Sequence, residues 1–119
     1  MRYMLLLHVP SEVRERAELR APMEEWWAYN EALRDAGAFI AGEALQDLET
    51  ARTVRVRDGE QVVTDGPFAE TKEMLGGYYL IDVPDLDAAL GWAAKVPNAP
   101  YGSVEVRPIM EIPAAAGQG

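Results

Sequence analysis

Residues 64–83, TDGPFAETKEMLGGYYLIDV, hold the turn and the strand from which the rest of the chain can be placed. Gly66-Pro67 forces a turn, because glycine tolerates positive φ while proline fixes its own φ and donates no backbone hydrogen bond. Asp65 is thereby held at a strand end, with Phe68, Glu70, Lys72 and Glu73 within a few residues. Gly76-Gly77 then releases the chain into Tyr78 to Val83, so Leu75 to Val83 reads as a long strand that is apolar on both faces.

Upstream, Thr53 to Arg57 and Gln61 to Asp65 alternate around Asp58-Gly59, a strong hairpin signal. The chain opens with a strand, Arg2 to Val9. Met4, Leu6 and His8 share one of its faces, and Tyr3, Leu5, Leu7 and Val9 share the other. A charged connector, Pro10 to Ala21, leads to a helix over Met23 to Gly37, with Pro22 suited to its first turn and Gly37 to its C′ position. Met23, Trp26, Trp27, Tyr29, Leu33 and Ala36 form a broad apolar arc on that helix, in which Asn30 is the polar exception and must find a partner. Ala38 to Leu45 follows as a strand. After Val83, Pro84-Asp85 opens a second helix with Asp85 as N-cap, Leu86, Ala89, Leu90, Ala93 and Val96 as its buried stripe and Pro97 as its stop. Ser103 to Met110 is the last strand.

The order is β-α-β, a hairpin insertion, then β-α-β. It predicts a ferredoxin-like α+β sandwich, an antiparallel sheet with both helices on one face. No linker or repeat breaks the chain, so residues 1–112 form one domain and residues 113–119 a frayed tail. The opposite sheet face keeps apolar positions in its strands, which predicts a homodimer through that face.

Composition narrows the function classes. The 119 residues contain no cysteine, which excludes disulfides, thiolate metal sites and cysteine nucleophiles. Eleven Lys and Arg against twenty Asp and Glu give a net charge of −9, and the cations are dispersed among acids. That disfavours a phosphate backbone or an anionic membrane surface as partner. The run Met4 to Leu7 is too short for a signal or a span, and a soluble cytoplasmic protein is expected. No cofactor motif is present, since Gly76-Gly77 has no Walker or dinucleotide pattern around it.

The stretch Val62 to Glu73 and its continuation Leu75-Gly76-Gly77-Tyr78 resemble the signature of the DGPF-motif branch of the YCII-related proteins. Tyr101 to Pro108 resembles that branch's C-terminal strand, and Asp35-Ala36-Gly37 with Ala41-Gly42-Glu43 resembles its helix-to-strand junction. The resemblance implies a dimeric α/β barrel of ferredoxin-like protomers. It also suggests a link with extracytoplasmic-function sigma factors, and it implies little about reaction. In the wider family a histidine on the first helix and an aspartate near that helix's end are proposed as a catalytic pair. Asp35 matches the aspartate, whereas Glu25 stands where the histidine would be. An acid replaces an imidazole as a base near pH 7 only with a raised pKa.

The acid–base candidates are therefore Asp65, His8 and Asp35. Asp65 could act as a base or an orienting carboxylate, and equally could cap its own turn. His8, the only histidine, stands at a strand end where pockets form, and could also be a hydrogen-bonded residue at the core's edge. Glu43, Phe68 and Lys72 are candidate ligand contacts, and no spacing supports a metal. Two functions follow: a cofactor-free small-molecule enzyme with acid–base chemistry in a cleft, or a non-enzymatic binding or regulatory module.

Overall fold

The computed structural model describes residues 1–67 and 72–113. It is a mixed α+β fold with β1 (Arg2–Pro10), α1 (Ser11–Arg14), α2 (Met23–Asp35), β2 (Phe39–Ala44), β3 (Arg52–Arg57), β4 (Glu60–Asp65), β5 (Glu73–Asp82), α3 (Leu86–Ala94) and β6 (Ser103–Pro108). Single 3-10 turns at Ala17–Leu19 and Leu48–Thr50 shape the connectors. The main sheet has the order β2-β5-β1-β6, and every pairing in it is antiparallel. Strands β3 and β4 form a separate two-stranded sheet.

Local chemistry accounts for the turns. Asp58 and Gly59 both take positive φ, 52° and 77°, the mirror-image turn whose twist suits a two-residue hairpin. Helix α2 ends in a Schellman arrangement: Gly37 has φ +70°, its N–H donates to the Arg34 carbonyl at 3.0 Å, and the Ala38 N–H donates to the Leu33 carbonyl at 2.9 Å. At α3 the Asp85 carboxylate accepts from the Ala88 N–H at 2.9 Å, the expected N-cap.

The core lies between one sheet face and the helices. Tyr3, Leu5 and Leu7 of β1 and Tyr79 and Ile81 of β5 pack with Tyr29 and Leu33 of α2 and with Ala89 and Ala93 of α3. Tyr29 is the hub. Its ring meets Tyr79 and Trp92 edge-on at 5.2 and 6.0 Å, and its hydroxyl donates to the Trp92 carbonyl at 2.8 Å. The buried face of α2 is narrower than the expected arc, because Met23 and Trp27 are 58% and 63% exposed. Residues of the alternate sheet face, Met4, Leu6, Tyr78 and Leu80, are only partly buried. Pro113 is exposed, and the rest of the expected tail lies outside the described residues.

Candidate functional site

A cleft of about 590 Å³ opens between α2, the connector after α1 and the β1–β5–β2 part of the sheet. Leu7, Gly42, Ala44, Gly76, Gly77 and Tyr79 border it from the sheet. Met23, Trp26, Trp27 and Asn30 border it from α2. Arg14 edges it from the end of α1, Ala17, Arg20 and Ala21 from the connector, and Asn98 and Tyr101 from the turn after α3.

Glycines keep the sheet side low. A Cβ on Gly42 would stand 2.6 Å from Cδ1 and 2.9 Å from Cε1 of Tyr79, so glycine is what admits that ring. A Cβ on Gly77 would stand 2.8 Å from the Glu43 carbonyl oxygen, where β2 and β5 run close. At the rim of the sheet, Leu7 pairs with Gly77 but His8 pairs with Leu75, so Gly76 is the extra residue of a bulge. Bulges re-aim the chain beside sites, and here the bulge makes room for a guanidinium. Nη1 of Arg14 lies 3.1 Å from where a Gly76 Cβ would be.

Arg14 is positioned by two other contacts: Nε donates to Asp47 Oδ1 at 2.9 Å and Nη2 donates to the Leu45 carbonyl at 3.2 Å. Its side chain is 19% exposed, while that of Asp47 is 64% exposed. The connector is tied to the far wall by the Ala21 N–H, which donates to the Tyr101 hydroxyl at 3.1 Å.

Two residues that line the cleft have buried side-chain oxygens with no partner among the described residues, Asn98 Oδ1 and Asn30 Oδ1. Asn98 is 1% exposed. Its Nδ2 donates to the His8 carbonyl at 3.1 Å and to the Ser103 carbonyl at 3.4 Å. Those two acceptors fix which way the amide points, because turning it would set Oδ1 against two carbonyl oxygens. A buried acceptor without a donor costs about 1–3 kcal/mol, so such an atom calls for an explanation. Burial pushes the phenol of Tyr79 up to about 12, and burial followed by the neighbouring Tyr79 raises that of Tyr29. Both hydroxyls are therefore neutral hydrogen-bonding groups at ordinary pH.

The expected site residues fall in different places. Asp65 ends β4 on the separate hairpin, 90% exposed, and pairs with Nε of Arg52 across the hairpin at 3.1 Å. The His8 imidazole, 26% exposed, lies 3.4 Å from Glu105. By strand alternation it belongs with Met4 and Leu6 on the sheet face turned away from the cleft. Asp35 is the exposed last residue of α2. Glu43 borders the cleft, but it is exposed and its register partner is Tyr78 on the uncovered face. Lys72 is exposed, and its carbonyl accepts from the Ser11 N–H at 3.3 Å. Phe68 lies outside the described residues. Of the expected residues that are described, the cleft thus gathers only Glu43.

Arg14, Arg20, Asn98 and Tyr101 were not signalled as site residues by the sequence. The one usable signal was Asn30, flagged as a polar break in an apolar arc. Its oxygen has no partner among the described residues. Among those residues, no three His, Asp or Glu side chains converge where a metal ion could be held, and no helix is long and apolar enough to cross a membrane.

A small α+β domain with one face of its sheet under helices and a ligand-sized cleft at their junction is the class that fold and site define. The chain belongs to the YCII-related family, whose domain matches residues 1–113. It is also similar to a protein of Rhizobium meliloti (strain 1021) described as uncharacterized, with 56% identity over 77 residues. That match covers 63% of this chain and 62% of the relative, which is less than two thirds of either.

Proposed function

We propose that this chain is a small-molecule-binding protein of the DGPF-motif branch and takes its ligand in the cleft beside α2. The observation that carries the reading is Asn98. It is 1% exposed, it borders a cavity of about 590 Å³, and its buried Oδ1 has no partner among the described residues. That volume falls within the range of ligand pockets, which combine apolar and aromatic walls with a few convergent polar groups. Trp26, Tyr79 and Tyr101 supply aromatic surface, and Arg14 and Arg20 supply charge at the edge.

Binding is favoured over acid–base catalysis because the expected acids and bases stand apart. Asp65 is on the hairpin, His8 faces Glu105, and Asp35 ends α2. Titration of 15N-labelled protein with indole, an uncharged aromatic probe, tests the reading. The Trp26 indole N–H and the Tyr79 amide are expected to move together and saturate. Shifts confined to other faces, or none up to the solubility limit of indole, would overturn it.

The order β2-β5-β1-β6 is that of a ferredoxin-like protomer. We further infer a homodimer built as an α/β barrel through the uncovered sheet face. Met4, Leu6, Tyr78 and Leu80 support it, as apolar neighbours in register that no described helix packs against.

A further inference from the structure

We propose that the cleft's ligand is a small, singly charged carboxylic acid that also carries a hydrogen-bond donor. Its carboxylate is held by Arg14 and Arg20, and its donor is met by Asn98 Oδ1. The proposal rests on the cleft being a binding site and names what that site selects.

The anion end follows from how Arg14 is held. Nε and Nη2 are engaged by Asp47 and the Leu45 carbonyl. Nη1 is left over the bulge at Gly76, on the cleft side, with no acceptor among the described residues. A guanidinium that is 19% exposed has lost much of its hydration, so a carboxylate reaching Nη1 makes a charge-assisted hydrogen bond of the stronger kind. Arg20 stands on the same edge, exposed and without a partner among the described residues. Two guanidinia repel a cationic ligand. The chain's net charge of −9 and Glu43 at the border disfavour a phosphate dianion, which leaves a single negative charge as the best match.

The donor end follows from Asn98. Its Nδ2 is anchored to the carbonyl of His8, the residue that flanks the same bulge. Oδ1, on the other branch of the amide, has no donor among the described residues, and Asn98 borders the cleft. A hydroxyl on the acid satisfies Oδ1; an aliphatic or purely aromatic acid leaves it unpaired. Sites built to bond a substrate hydroxyl reject the analogue that lacks it, for this reason. Between the two ends, Leu7, Trp26 and Tyr101 give the body of the acid an apolar and aromatic surface.

Three matched probes test the class by the NMR titration used with indole: 4-hydroxyphenylacetate, its methyl ester, and phenylacetate. The hydroxy acid is expected to bind about tenfold tighter than the ester and about threefold to tenfold tighter than phenylacetate. The Asn98 side-chain amide resonances should move with both hydroxylated probes and stay still with phenylacetate. Arg14→Gln should remove most of the preference for acid over ester. Arg20→Gln, at an exposed position where folding is not at stake, should reduce it severalfold and decides the matter if Arg14→Gln does not fold. Equal affinity for acid and ester, or for phenol and phenyl, overturns the proposal. If indole still binds, the cleft remains a binding site for another class of ligand. If indole fails too, both readings fall.

Discussion

Gly42 and Tyr79 show how a single atom shapes the cleft. With no Cβ at residue 42 the Tyr79 ring packs close against β2; with one, two ring carbons would be closer than real Cβ contacts allow. Gly42→Ala is expected to destabilise the fold by about 1–3 kcal/mol, the usual cost of overpacking, and to weaken indole binding as the ring shifts into the cleft. Unfolding in urea and the indole titration measure both effects, and an unchanged protein would refute the close approach. The same tyrosine sets an alkaline limit. Its phenol ionises near pH 10.0 when unfolded and near 12 when folded. Below pH 10 it is neutral in both states and its contribution to stability is complete; between 10 and 12 only the unfolded chain ionises, so stability falls as pH rises. A two-unit shift is worth about 2.7 kcal/mol, and residual solvent screening brings the expected loss to roughly 2 kcal/mol. Tyr79→Phe should reduce the slope of urea-measured stability across that window, leaving the share of Tyr29, whose phenol is raised too, and a slope equal to wild type would rule Tyr79 out as a contributor. Asn30 and Asn98 mark the limit of reading residues alone. Asn30 was visible as a break in a helical pattern. Asn98, between Pro97 and Ala99-Pro100, reads only as a turn residue, because its amide is held in part by β1, which is distant in sequence.

Elements were legible wherever their ends are set by local chemistry. Asp58-Gly59 gave the hairpin, Gly37 the end of α2, and Asp85 the start of α3, and each does so through its own backbone angle or side-chain hydrogen bond. Replacing Asp85 with alanine removes the acceptor for the Ala88 N–H and should cost about 1 kcal/mol in thermal or urea unfolding. Indole binding should survive it, because Asp85 does not border the cleft. Buried width was less legible than ends. Periodicity put Met23 and Trp27 in the buried arc of α2, yet that helix overhangs a cleft there and leaves both exposed. The acid–base candidates share this limit. Asp65 and His8 were each placed at the end of a strand, as they are found, but the two strands belong to different sheets.

At the scale of the molecule the shape is a slab of 48 × 47 × 20 Å, with a radius of gyration of 16.7 Å against about 13.5 Å for a compact domain of this length. One broad face of the sheet carries the core. If the other meets a second copy, Leu6→Arg should break that contact, since Leu6 lies opposite Tyr78 and Glu105 at the middle of the face. Size-exclusion with light scattering should then fall from twice 13.1 kDa to 13.1 kDa, with the circular dichroism unchanged. A wild-type protein already at 13.1 kDa would end the dimer proposal. The sequence by itself determined the strands and the two long helices, their order, the antiparallel α+β class and the family, because these rest on periodicity and on turn residues that act within a few positions. Tertiary structure alone decided the cleft. It brings Arg14, Gly42, Gly76 and Asn98 together from four separate segments, and it sets Asp65, His8 and Asp35 apart. Turn chemistry acts between neighbours in the chain, whereas a site depends on which neighbours in space the packing of helix on sheet brings together.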